Sequence, residues 1–154
     1  LKKGLHWLGS MIDEGGQFGY DSPNSSPGGM PTLMAMGAFC MFSASDVGEM
    51  ADRGMLLRLK QAFDSLKQEE THKDYYRAYF RAAALQTGKP AEHDRKLAEL
   101  QNSLLVMQER SGGNAGSWSP ADRWGPVGGR IYSTAVAGLT LELAAGSHDS
   151  PVSF

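Results

Sequence analysis

The residues best placed to do chemistry are an acid beside a run of rings: Asp74, Tyr75, Tyr76 and Tyr79. A carboxylate among aromatic faces suits an apolar or cationic ligand, because the π-face attracts cations and the ring covers apolar surface. The plainer alternative is that Asp74 caps a helix electrostatically and the rings are core packing. A second stretch, Gly125 to Arg130, offers backbone N–H groups and a guanidinium that could meet an anion at a helix N-terminus. It lacks the Gly-Lys-Ser/Thr of a phosphate-binding loop, and a tight connecting turn explains its glycines as well. A third stretch, Pro120-Ala121-Asp122, lies between Trp118 and Trp124. It could stack a sugar or a peptide, or Trp118 could lock a turn while Trp124 covers a helix end. Asp122 alone is not the carboxylate pair that glycoside hydrolysis needs.

Other reactive groups are scattered. His6, His72, His93 and His148 show no metal-ligand spacing. Cys40, the single cysteine, sits in an apolar segment and reads as a buried, inert thiol. One cysteine excludes a disulfide framework. No metal site and no cofactor motif is found. Lys and Arg number 15 against 17 Asp and Glu, a net charge of -2, which argues against a nucleic-acid partner. At 154 residues and 41% apolar, the chain is long and apolar enough for a packed core. Its richest apolar run, Met30 to Phe42, is too short for a membrane span of about 20 residues. The chain begins at Leu1 without Met and reads as a piece of a longer protein, so its compartment stays unknown.

Six helical segments would position these groups, and no alternating strand pattern competes with them. They are expected at about 1–12, 30–43, 46–68, 71–87, 90–108 and 131–145. Pro31 fits a first helical turn. Asp46 and Glu49 have capping-box spacing for the third helix, and Gly54 interrupts that helix. Gly88 reads as the stop of the fourth. The second, fourth and sixth segments are the more apolar or aromatic, and the first, third and fifth have wet faces. Even segments start near 30, 72 and 131, a spacing in the range of helical-hairpin arrays. This alternation suggests an outer and an inner layer of helices.

One stretch is more specific. Leu100 to Gln108 is an amphipathic helix ending in Gln, followed by Gly112-Gly113 and then Gly116-Ser117-Trp118. It resembles the QW repeat of the terpenoid cyclase and protein prenyltransferase superfamily. In that motif Gln, here Gln108, ties the end of an outer helix to the start of the next inner one, and the Trp ring, here Trp118, packs over it. A weaker copy runs from Lys3 to Leu8 and then through Gly16, Gln17, Phe18, Gly19 and Tyr20, with Tyr20 standing where Trp is usual. Gly129-Arg130-Ile131-Tyr132-Ser133-Thr134-Ala135 is similar to the entry into an inner helix, and Met30 to Ala35 resembles a degraded version. Asp74 to Tyr79 resembles the inner-helix start of squalene-cyclase-like repeat proteins. The resemblance implies an all-α fold of the α/α-toroid type. The chain would be one fragment, 1–154, with three hairpins at about 1–45, 46–88 and 89–145 and a tail at 146–154. That is about half of a closed toroid.

The family's chemistry is missing from these residues. No inner-helix start carries the Asp-x-Asp-Asp acid of the cyclases, no Asp-Asp-x-x-Asp diphosphate motif occurs, and Cys40 lacks the Asp-x-Cys of a prenyltransferase zinc site. Complement-like thioester domains need Glu-Gln close after a Cys, which is absent too. The expected function is therefore a non-catalytic repeat module that binds a protein partner or an apolar ligand with inner-helix residues Asp74, Tyr75, Tyr76, Tyr79 and Tyr132. The alternative is part of a cyclase or prenyltransferase-type enzyme whose catalytic groups lie elsewhere. Half a toroid leaves open edges, so self-association or an exposed apolar groove is expected.

Overall fold

The computed structural model describes residues 2–25, 30–46, 52–66, 74–88 and 91–146. The described chain is all-helical. It contains α1 (Lys2–Ser10), α2 (Pro31–Asp46), α3 (Arg53–Ser65), α4 (Tyr75–Gly88), α5 (Ala91–Met107) and α6 (Gly125–Ala145). Among these residues there is no strand, only one isolated antiparallel bridge between Ile12 and Phe18. No described helix is long and apolar enough to cross a membrane. The chain divides into two compact units, 1–68 and 69–154. The division falls within the span read as the second hairpin, so α3 and α4 belong to different units.

The first unit is built on α2. Pro31 opens this helix, as expected for a residue with no N–H to satisfy. Met34, Ala35, Ala38, Met41 and Phe42 are buried, and Leu5 of α1 and Phe18 of the following loop join them in the core. From α3 come Leu59 and Phe63, and Phe63 meets Phe42 edge to face at 5.7 Å. The capping box expected at Asp46 does not start α3, because Asp46 is the last residue of α2. Asp52 does the capping, accepting the Met55 N–H at 2.9 Å. Gly54 therefore lies in the first turn, where its low helix propensity costs least, rather than in the helix interior. Cys40 is exposed, contrary to the buried thiol expected. An all-apolar helix in a small unit has more apolar surface than its neighbours can cover.

The second unit is a three-helix packing in which α4 lies against both α5 and α6, and α5 against α6. Small residues make this possible. Ala78, Ala82 and Ala83 of α4 and Ser133, Ala137, Thr140 and Ala144 of α6 are buried. The α6 set recurs at spacings of four, three and four, one stripe of a helix. The two hydroxyls turn back on their own helix: Thr140 donates to the Val136 carbonyl at 2.7 Å and Ser133 to that of Gly129 at 3.3 Å. Tyr75, Leu104, Trp118 and Ala137 form the central cluster. His93 is buried and donates through Nδ1 to the Leu85 carbonyl at 2.9 Å, tying the start of α5 to the end of α4. At the same end of α4, the Gln86 amide donates to the Leu143 carbonyl near the end of α6 at 2.9 Å.

Helix α6 begins six residues before the expected Ile131. Its first turn, from Gly125, is set off by Gly129 at φ 65° and ψ −170°. That backbone region is open essentially to glycine alone, so the break in direction is written into the residue type. The opposite face of α6 is apolar and uncovered: Val127 is 91% exposed, Ile131 87% and Leu139 49%.

Candidate ligand-binding site

The segment between α5 and α6 positions the site. Gln108 donates its side-chain amide to the Gly116 carbonyl at 2.9 Å. The Gly116 N–H returns to the Glu109 carbonyl at 2.8 Å, and the Glu109 N–H reaches the Ser117 carbonyl at 2.9 Å. Ser117 donates its hydroxyl to the Asn114 carbonyl at 2.6 Å and accepts from the Arg130 guanidinium at 3.0 Å. Arg130 also faces the Glu109 carboxylate at 3.6 Å. Beneath this corner Trp118 is buried. Its indole N–H donates to the Leu104 carbonyl at 2.8 Å, and its backbone N–H to the Thr134 hydroxyl at 3.1 Å. Gln108, Gly116, Ser117 and Trp118 thus form one hydrogen-bonded unit.

The N-terminal counterpart is built differently. The Gln17 backbone exchanges hydrogen bonds with Asp13, its N–H to Oδ1 at 2.8 Å and its carbonyl with the Asp13 N–H at 2.9 Å. Gly19 donates to the Met11 carbonyl at 2.9 Å. Tyr20 is 69% exposed, so its ring does not take the buried place that Trp118 takes.

From Trp118 the chain runs back across the start of α4. The Tyr75 hydroxyl donates to the Ser119 carbonyl at 3.3 Å, and the Tyr75 N–H donates to Oδ2 of Asp122 at 3.3 Å. Asp74 takes the neighbouring donor, accepting the Arg77 N–H at 2.9 Å. Two aspartates 48 positions apart therefore serve the free N–H groups of one helix start. Both are buried, Asp74 at 7% exposure and Asp122 at 3%. Oδ1 of Asp122 has no hydrogen-bond partner among the described residues.

Next to this pair lies a cleft of about 340 Å³, lined by Tyr76, Trp124, Val127, Gly128 and Tyr132. Tyr76 meets Trp124 edge to face at 6.5 Å and Phe80 at 5.0 Å. The Tyr132 ring rests directly on Gly128. Of the five residues singled out for a ligand, Tyr76 and Tyr132 line this cleft. Tyr75 is in the core, Asp74 caps α4, and Tyr79 packs edge to face on Phe80 at 5.3 Å. By sequence Trp124 is a candidate helix cover and Asp122 a lone acid. No local spacing shows that they meet α4, and only the matching position of two acids before two inner-helix starts hints at it. In the first unit a larger open cleft of about 690 Å³ lies between α1 and α2, with Trp7, Leu8, Phe39 and Cys40 in its walls.

The electrostatics follow from burial. Burial pushes the Asp122 carboxyl above its ordinary value of 3.8, and the Asp74 charge adds to this, while N–H groups of Tyr75, Gly125 and Trp124 pull the other way. Tyr132 is pushed up to about 12 by burial, by Asp122 and Asp74, and by Tyr76. It remains a phenol at neutral pH. Burial raises Tyr75 too, and Asp122 adds to it while Arg130 lowers it. Among the described residues no group of three His, Cys, Asp or Glu is arranged to hold a metal ion.

A stability test follows. The folded Asp122 holds its proton more tightly than the unfolded one does. Stability linked to this group is therefore full below about pH 3.8 and is lost as the pH rises through the higher folded value. Asp122→Asn keeps an acceptor for Tyr75 and removes the buried charge. Its stability relative to the parent is expected to grow as the pH rises from 4 to 7, where the parent's carboxyl ionises. Urea unfolding at four pH values reads this difference; a constant gap would show that the carboxylate is not strained.

No protein-family model matches the chain, and no curated protein and no solved structure is significantly similar to it.

Proposed function

We propose that this chain is a non-catalytic helical-hairpin module of the squalene-cyclase-like and prenyltransferase-like type, and that its second unit binds a small ligand or a partner's side chain. The observation that carries this reading is the aromatic cleft at the start of α4 and α6, walled by Tyr76, Trp124 and Tyr132. Such walls, with few polar groups, are the usual make-up of ligand pockets, and about 340 Å³ suits a small ligand. The toroid relationship is supported by the corner in which the Gln108 amide meets Gly116 and the Trp118 ring lies under α5. A nuclear magnetic resonance screen of small apolar and cationic fragments tests the reading. Hits are expected to bind the parent and Trp7→Ala alike, and to be lost in Trp124→Ala/Tyr132→Ala. Fragments that bind the double variant undiminished would refute it.

A second reading, part of a terpenoid-cyclase-type enzyme, is favoured by one observation. Burial raises the Asp122 carboxyl and the nearby Asp74 charge adds to it, a coupling that no single helix start in the sequence supplies. Under that reading the aspartate pair supplements catalytic groups that lie outside this chain. Incubation with a squalene analogue and with farnesyl diphosphate, followed by mass spectrometry, separates the two. Product formed by the parent and lost in Asp122→Asn favours the enzyme.

A further inference from the structure

We propose that the cleft walled by Tyr76, Trp124 and Tyr132 takes a small methylated ammonium ion, an inference that rests on the reading of this cleft as the binding site. Three features of the molecule lead to this class.

The first is the wall. Indole and phenol faces attract a cation within about 6 Å of the ring. Trp124 already does so, since the Arg123 guanidinium lies over one of its faces at 5.4 Å. An ammonium with free N–H groups would lose its water and find few acceptors among Val127, Gly128 and the rings. A methylated ammonium has little or no N–H to satisfy, spreads its charge over its methyl groups, and sheds water more readily. It suits a wall that is both apolar and aromatic.

The second is the field. Asp74 and Asp122 act on the Tyr132 phenol, so their negative potential reaches the wall of the cleft. The starts of α4 and α6 oppose it, but a helix N-terminus carries only about half a positive charge. The Arg123 guanidinium adds a positive charge on a face of Trp124, but at Tyr132 the carboxylates prevail, since Asp122 and Asp74 raise that phenol and no cation lowers it. Arg130 is occupied with Glu109 and Ser117.

The third is the orphaned oxygen. Oδ1 of Asp122 is buried and makes no full hydrogen bond among the described residues, although the Gly125 and Trp124 N–H groups lie close enough to favour its charge. Such a group costs stability, and its retention calls for a reason. A cation held in the adjoining cleft would lower that cost through the field. A neutral apolar ligand would fill the walls and leave the carboxylate as it is.

The test is calorimetric titration of the whole chain at neutral pH with choline and with 3,3-dimethyl-1-butanol, its neutral isostere. Choline is expected to bind at least ten-fold more tightly. Asp122→Asn is expected to weaken choline about ten-fold and leave the isostere unchanged, whereas Trp124→Ala weakens both. Trp124→Phe retains a ring and is expected to fall between, which keeps the test valid if the alanine variant folds poorly. Equal affinity for the two ligands, or choline binding untouched by Asp122→Asn, would overturn the cation while leaving the cleft as a site. Binding of neither, with the fragment screen also empty, would remove the cleft reading itself.

Discussion

Trp118→Ala is expected to destabilise the second unit by about 3–5 kcal/mol, the range for truncating a buried large aromatic. The indole is 4% exposed and packs with Tyr75, Leu104 and Ala137, one residue from each helix of that unit. Truncation would leave a cavity among all three helices at once. It would also remove the indole donor to the Leu104 carbonyl. Trp118→Phe keeps most of the volume and loses that bond, so a loss of roughly 2 kcal/mol is expected, about half from the bond and half from the smaller ring. Guanidinium unfolding followed by circular dichroism measures both. A loss below about 1 kcal/mol for the alanine variant would show that the corner does not hold the helices together.

Gly125→Ala is expected to be as damaging for a different reason. A Cβ at Gly125 would overlap the Pro120 carbonyl, which is backbone and has no rotamer to move into. Relief requires shifting Pro120 or the first turn of α6, and both carry the segment that brings Asp122 to α4. A cost of about 3 kcal/mol is expected, in the range of overpacking at a rigid site. Gly138→Ala, in the same helix, is the contrasting case. Nothing lies within 4 Å of its Cβ position, and alanine is the better helix former by about 1 kcal/mol. That variant is expected to raise the melting temperature. If the two substitutions had similar effects, the close approach of Pro120 to α6 would be wrong.

The legible parts of this chain were the local ones. The leucine spacing of α5 and the Pro31 start of α2 are set by residues within a turn or two of each other, and the helices lie where those signals put them. Gly88 ends α4 within its last turn. Local signals also misled where two candidates stood close together. Asp46 and Asp52 can both cap a helix; the first ends α2 and the second caps α3. The start of α6 was hidden by Gly128 and Gly129, which read as a turn although only Gly129 leaves helical geometry. The site was half legible. Tyr76 and Tyr132 announced themselves as rings at inner-helix starts. The pairing of Asp74 with Asp122 depends on a contact across 47 positions, from the Tyr75 N–H to Asp122, and no periodicity carries that information.

The three tryptophans offer the most direct test of the binding cleft, because they occupy three different environments. Trp7 is exposed in the first unit, Trp118 is buried with its N–H bonded, and Trp124 lines the cleft. Each should give its own indole N–H signal in a nitrogen-correlated proton spectrum of the labelled chain, assigned by Trp→Phe variants. On titration with choline, the Trp124 signal is expected to move progressively to saturation while those of Trp118 and Trp7 hold still. A Trp124 signal that stays in place at saturating ligand, or a shift confined to Trp7, would contradict the account.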